Sequence, residues 1–175
     1  MIPKNLGELL NSSAKQHAHR VAIVFGQKKI SYKTLAELTD RIAAGLISID
    51  IKKQDKVAVF LDNCPEFVIS YFAILKAGAV VVPINYMFKI EEAKFILEDS
   101  QAICLITSRV YVNMAEELRL RVEGLKYIVT TVKVKDDIVG FTDIKRDDAA
   151  SLNKVASNPM DLAVILYTSG TTGYP

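Results

Sequence analysis

Cysteine and histidine are scarce in this chain, with two of each among 175 residues. Cys64 and Cys104 both sit beside apolar residues, so the chain does not read as a disulfide framework. Cys64 falls at an expected helix start, where a thiol pKa can drop, yet a small buried apolar side chain is the stronger reading. His17 and His19 form a His-x-His pair near the end of a polar first helix. No Cys, Asp or Glu stands beside them, so they read as exposed surface residues rather than a metal site. An excess of charge of one sign is missing as well. The chain carries 22 basic and 20 acidic residues, for a net charge of +2. Without a basic cluster there is no electrostatic footprint for nucleic acid. The mixed-charge stretch Lys133–Asp148 reads as a solvated face or loop. No carboxylate pair stands out for general acid–base work. The N-terminus, Met1 to Asn5, lacks the apolar core of a signal peptide, and a cytoplasmic protein is expected. No repeat or low-complexity tract is visible.

One long apolar run, Phe67–Ile84, needs a decision. Lys76-Ala77-Gly78 interrupts it and Pro83 stands near its end. Helix-friendly residues precede the break and β-branched residues follow. A charge at a bilayer centre is costly. The run therefore reads as a buried helix, a glycine stop and a buried strand, not as a membrane span.

Hydrophobic residues make up 50% of the chain, enough to build one domain with a real core and to exclude disorder. Strands are expected at Val21–Phe25, Lys28–Tyr32, Lys56–Leu61, Ala79–Ile84, Ala102–Thr107, Tyr127–Val132 and Leu162–Tyr167. Gly26-Gln27 would turn between the first two. A helix over Tyr32–Ser48 follows from the spacing of Leu35, Leu38, Ile42, Leu46 and Ile49. Ser31 is its N-cap, and Thr34 with Glu37 offers an alternative capping box. In the next helix, Asn63 is the expected cap, with Pro65 and Glu66 in the first turn and Phe67–Leu75 buried on most sides. Gly78 suits the left-handed position that ends it. Further helices are expected at Lys89–Asp99 and Val110–Glu123, whose Met114, Leu118 and Val122 face inward. Lys133–Asn158 reads as irregular, with room for one short helix. Strands that alternate with helices and are apolar on both faces define an α/β fold: a doubly wound, mostly parallel sheet with helices on both faces.

In such sheets ligands bind outside the carboxyl ends of the strands. The chain's last nine residues, Tyr167–Pro175, lie at such an end and place Thr168, Ser169, Thr171 and Thr172 beside Gly170 and Gly173. Glycine lets backbone N–H groups approach a ligand closely. Inward N–H groups attract anions, and hydroxyls add rotatable donors. A phosphate cradle is one reading; a Gly/Ser/Thr-rich flexible tail is the other. The loop is not a Walker A sequence, for it lacks the four-residue spacer and Gly-Lys-Ser/Thr. The first Gly-x-Gly of a dinucleotide fingerprint is missing. Tyr167 stands where a nucleophile elbow at Ser169 needs glycine. A nucleic-acid Gly-x-x-Gly module joins helices, whereas a buried strand precedes this one.

Three blocks, in order along the chain, resemble the adenylate-forming enzymes, the superfamily of acyl-CoA synthetases, luciferases and peptide-synthetase adenylation domains. Asp161–Pro175, DLAVILYTSGTTGYP, is similar to their phosphate-loop signature. Asn63–Asn85 resembles their helix–glycine–strand block, and Ile30–Leu35 their early Ser/Thr-Tyr-x-Glu-Leu block, with Thr34 in place of Glu. The resemblance implies a two-step ligase. A carboxylate attacks the α-phosphate of ATP to give acyl-AMP and pyrophosphate, and a thiol, usually coenzyme A, then displaces AMP. Thr168, Ser169, Gly170, Thr171, Thr172 and Gly173 would cradle the β- and γ-phosphates, with Thr168 adding a contact to Mg2+. Pro83-Ile84-Asn85 is closer to the synthetases than to the peptide-synthetase domains, which usually carry Asp there. The expected acid is a fatty acid, with aromatic acids open. The family's next lysine and its adenine, ribose, acyl-pocket and catalytic residues lie beyond Pro175. Residues 1–175 are thus expected to form one unit, an N-terminal part of the large ATP-binding domain without the C-terminal domain. Alone it should be inactive, and it should self-associate through exposed apolar surface or a sheet edge. A non-catalytic nucleotide-phosphate-binding module and a peptide-synthetase adenylation domain are the alternatives.

Overall fold

The computed structural model describes residues 5–135, 138–146, 151–152, 155 and 158–168. Helix α1 (Leu6–Gln16) opens with Asn5, whose side chain accepts from the Glu8 N–H at 2.8 Å. Strands β1 (Val21–Phe25) and β2 (Lys28–Ser31) form an antiparallel hairpin in a two-stranded sheet of their own. Its turn uses Gly26 at φ 57°, a conformation cheap only for glycine. Helix α2 (Tyr32–Ser48) follows directly. As expected, Ser31 caps it, with Oγ accepting from Thr34 N–H at 3.2 Å.

Five parallel strands make the main sheet, in the order β4-β3-β5-β6-β7. They are β3 (Lys56–Phe60), β4 (Val80–Pro83), β5 (Ala102–Thr107), β6 (Tyr127–Thr130) and β7 (Val139–Gly140). Between them run α3 (Pro65–Lys76), α4 (Ile90–Asp99), α5 (Val112–Arg121, after a 3-10 turn at Arg109–Tyr111) and, last, α6 (Phe141–Ile144). Alternating strand residues feed two cores. Val57, Val59, Val81, Cys104 and Ile106 pack with residues of α1, α2, α3 and α6. Ala58, Phe60, Val82 and Leu105 pack with residues of α4 and α5. Both faces of the sheet are therefore covered, which is why the strands read as continuous apolar runs. The Phe67–Ile84 run resolves as helix, turn and strand, with Gly78 at φ 77°. No helix among the described residues is long and apolar enough to cross a membrane.

Three expectations need correction. Asn63 does not cap α3: Cys64 takes the N-cap position in extended conformation (φ −145°, ψ 163°), without a side-chain capping bond. Pro65 starts the helix, and its fixed φ sets the boundary one residue later than the asparagine needs. Burial pushes the Cys64 thiol up, outweighing the backbone N–H groups of Phe67 and Glu66. The charged stretch after β6 holds the one short helix for which the sequence left room, but it is not only a solvated face or loop. Lys133, Asp143, Lys145 and Arg146 are exposed, but Ile138, Phe141 and Ile144 are buried and build β7 and α6. Finally, Leu162–Tyr167 is not a full strand.

Candidate functional site

The last segment joins the main sheet beside β4 through one parallel bridge, Val81 with Val164. Val81 N–H donates to Ala163 O at 3.0 Å, and Ile165 N–H donates to Val81 O at 2.9 Å. The next rung of a parallel ladder would need a donor from residue 83. That residue is Pro83, which has no N–H, so pairing stops after one bridge. Side chains still alternate as in a strand: Val164 packs with the α3-side core, and Ile165 and Tyr167 with the α4-side core.

Because this segment runs parallel to β4, its carboxyl end lies at the same edge as the ends of β3, β4 and β5. Thr168 emerges there, exposed, and makes no hydrogen bond among the described residues. Of the six sequence-derived phosphate contacts, Thr168 alone is described; Ser169, Gly170, Thr171, Thr172 and Gly173 lie outside the described residues. A free hydroxyl is a hard oxygen donor. It fits one place in a Mg2+ shell that is otherwise filled by water and phosphate oxygens.

Sequence reasoning missed how this edge is anchored. Tyr167 Oη donates to Asp99 Oδ2 at 2.5 Å, and its ring meets Phe95 edge to face (6.4 Å, 83°). Burial first, then the bond to Asp99, pushes the Tyr167 hydroxyl up to about 12. A raised phenol pKa favours the protonated fold. The contact is therefore complete below the ordinary value near 10 and is lost as pH rises through 12. At the other end of the segment, Lys53 Nζ pairs with Asp161 at 2.8 Å and Gln54 Nε2 donates to Leu162 O at 3.2 Å. Along the same edge, Tyr111 stacks edge to face on Phe60 at 4.9 Å. Burial raises its hydroxyl pKa, and the charges of Asp62 and Tyr86 add to the rise. His17 and His19 are exposed on the surface.

A parallel sheet covered on both faces, with Thr168 at its carboxyl edge, defines a doubly wound α/β protein, a class that binds ligands at that edge. The chain belongs to the AMP-binding enzyme family, which it matches over residues 10–175. Over 98% of its length it is 33% identical, across 184 aligned positions, to the crotonobetaine/carnitine–CoA ligase of Escherichia coli, covering 35% of that protein. Its fold superposes on the anthranilate CoA ligase AuaEII in complex with anthranoyl-AMP with a TM-score of 0.89 at 25% identity, over 98% of this chain and 33% of the other. With Mycobacterium smegmatis MbtA the TM-score is 0.90 at 26% identity, over 99% and 33%. The chain spans about a third of the length of the curated relatives it matches. The adenylate-forming resemblance and the doubly wound fold expected from sequence both hold.

Proposed function

We propose that residues 1–175 are the N-terminal part of the large ATP-binding domain of a cytoplasmic ATP-dependent acid–thiol ligase. The carrying observation is the position of Thr168, which leaves the sheet at its carboxyl edge beside β4 in a chain of the AMP-binding family. In this reading Thr168 to Gly173 hold the β- and γ-phosphates of ATP through backbone N–H groups and hydroxyls. That hold keeps pyrophosphate in line as the leaving group while a substrate carboxylate oxygen bonds to the α-phosphorus. The product, acyl-AMP, is then attacked by the sulfur of coenzyme A, a thioester forms and AMP leaves. Mg2+, held in part by Thr168, would neutralise phosphate charge. The acid is proposed as a fatty acid. Similar proteins named for crotonobetaine, carnitine and anthranilate make small charged and aromatic acids the competing class. The 175-residue chain binds nucleotide but makes no thioester alone; detecting acyl-CoA from the purified chain would overturn that part.

The decisive measurement follows amide shifts as Mg·ATP is added to the 15N-labelled chain. The amides of Thr168 to Gly173 are expected to move together, and Thr168→Ala to weaken binding severalfold. Amides that never move would remove the reading. Exposed apolar side chains on β1 (Val24 65%, Phe25 52%) and on the last segment (Leu166 68%) supply an association surface. Light scattering is expected to show a mass above 19.4 kDa that rises with concentration. A strict monomer at high concentration contradicts it.

A further inference from the structure

The missing rung at Pro83 leaves the last segment with an unusual balance of supports. Its start is tied by Lys53 and Gln54, and its middle by the single Val81–Val164 bridge. Beyond Ile165 no backbone bond joins the segment to β4 among the described residues: Pro83 has no N–H to give, and its carbonyl takes no bond from Tyr167. Yet Thr168 must leave from a defined place if the residues after it are to meet phosphate oxygens. What holds Tyr167 is entirely side chain. Its ring packs against Phe95 and its hydroxyl donates to Asp99, both on α4 rather than on the sheet. Asp99 is the last residue of α4, where unpaired carbonyls make a carboxylate unfavourable. An O–H donor aimed at it offsets that repulsion and forms a charge-assisted bond, stronger than a neutral one.

We propose that Tyr167 is a positioning residue: its clasp onto Asp99 and Phe95 replaces the ladder rung that Pro83 cannot make and sets the direction in which Thr168 leaves the sheet. The proposal rests on the reading that the Thr168 to Gly173 loop receives ATP phosphates, and it adds the element that aims that loop. Tyr167 touches no reacting atom; it acts through Thr168.

The test has two independent arms on the 175-residue chain. The first needs no ligand. Ile165 N–H is bonded to Val81 O, so its hydrogen exchange reports how firmly the segment is held. Tyr167→Phe keeps the ring and removes only the hydroxyl. It is expected to speed exchange at Ile165 roughly tenfold or more, the effect of losing one charge-assisted bond. Leu105 and Ile128, in the sheet interior, should keep their rates and so report that the fold is intact. Asp99→Leu should reproduce the effect, whereas Asp99→Asn, which keeps an accepting oxygen without the charge, should retain part of the protection. The second arm measures Mg·ATP affinity by titration, where Tyr167→Phe is expected to weaken binding at least threefold. The clasp is overturned if Tyr167→Phe leaves Ile165 exchange unchanged, or if exchange rises equally across the whole sheet. Wild-type chain that fails to bind Mg·ATP overturns the phosphate-loop reading, and the exchange arm then still decides whether Tyr167 holds the segment. Intact Mg·ATP affinity in a Tyr167→Phe chain with a loosened Ile165 overturns the positioning role alone.

Discussion

Asp40→Ala should lower the unfolding free energy by about 2 kcal/mol at pH 7, while Lys76→Met should cost less than about 1 kcal/mol. The asymmetry comes from where the two charges sit. Lys76, at the end of α3, is 9% exposed as a residue, and its Nζ reaches Asp40 Oδ1 and Thr39 Oγ1, both at 2.8 Å. The Asp40 side chain is 35% exposed and keeps much of its hydration, so the cost of removing it falls below that of breaking a fully buried pair. Burial lowers the Lys76 pKa from 10.5, and the bond and charge of Asp40 pull it partly back. Without Asp40 the burial effect acts unopposed. In the window between the lowered folded value and 10.5 the unfolded chain binds more protons, so stability rises with pH there. The Asp40→Ala deficit should therefore be full below the variant's own folded Lys76 pKa, which lies under the wild type's, and shrink as pH rises from there to the wild-type folded value. Lys76→Met removes the charge that needs solvation and leaves Thr39 Oγ1 donating to Ala36 O at 2.8 Å. Urea unfolding of both variants from pH 6 to 10 checks this. Equal losses, or an Asp40→Ala deficit independent of pH, would contradict it.

Lys76 also shows which parts of this molecule the sequence makes legible. Its position interrupts an apolar run and correctly separates a helix from a strand, because glycine and β-branched residues follow at once. That it would be buried against α2 is not legible, for the partner Asp40 lies 36 residues away and nothing local links them. The alternating strands and helices, the Ser31 cap and the Gly78 stop all follow from short-range pattern, and the structure carries each. After β6 the expected short helix is α6, but β7 and the burial of this region were not legible. Its apolar residues Ile138, Phe141 and Ile144 are diluted by charges, so no period of 2 or 3.6 emerges. The candidate site divides in the same way. The Thr/Ser/Gly loop is a contiguous motif, so the proposal for it comes from the sequence itself, and Thr168 alone of it is described. The clasp from Tyr167 to Asp99 spans 68 residues and was not legible. The effect of Pro83 on pairing was not legible either, because which neighbour its missing N–H faces depends on the register with residue 165.

Gly45→Ala is expected to destabilise the chain by about 2 kcal/mol, against the gain of about 1 kcal/mol that the same change brings to an exposed helix interior. A Cβ at this position on α2 would stand 2.1 Å from the Ile144 carbonyl oxygen and 2.6 Å from its carbon. Backbone cannot rotate out of the way as a flexible side chain would, so α6 must move. It is tied there by Arg146 N–H donating to Arg41 O at 3.2 Å, with Ile144 1% exposed in the core. Displacing α6 pulls on β7, which pairs with β6 only through Val139 and Gly140. The expected result is a Tm lower by about 4–8 °C, with exchange protection lost first at Gly140 and Lys145. A Tm that rises instead would mean that α6 does not hold this place. β7 lies at the opposite edge of the sheet from the Val81–Val164 bridge, five strand spacings or about 24 Å away. The Gly45→Ala chain, where folded, should accordingly bind Mg·ATP as tightly as the wild type. Tyr167→Phe should do the reverse, weakening nucleotide binding with little change in Tm. The pair of variants separates what holds the sheet together from what aims its carboxyl edge.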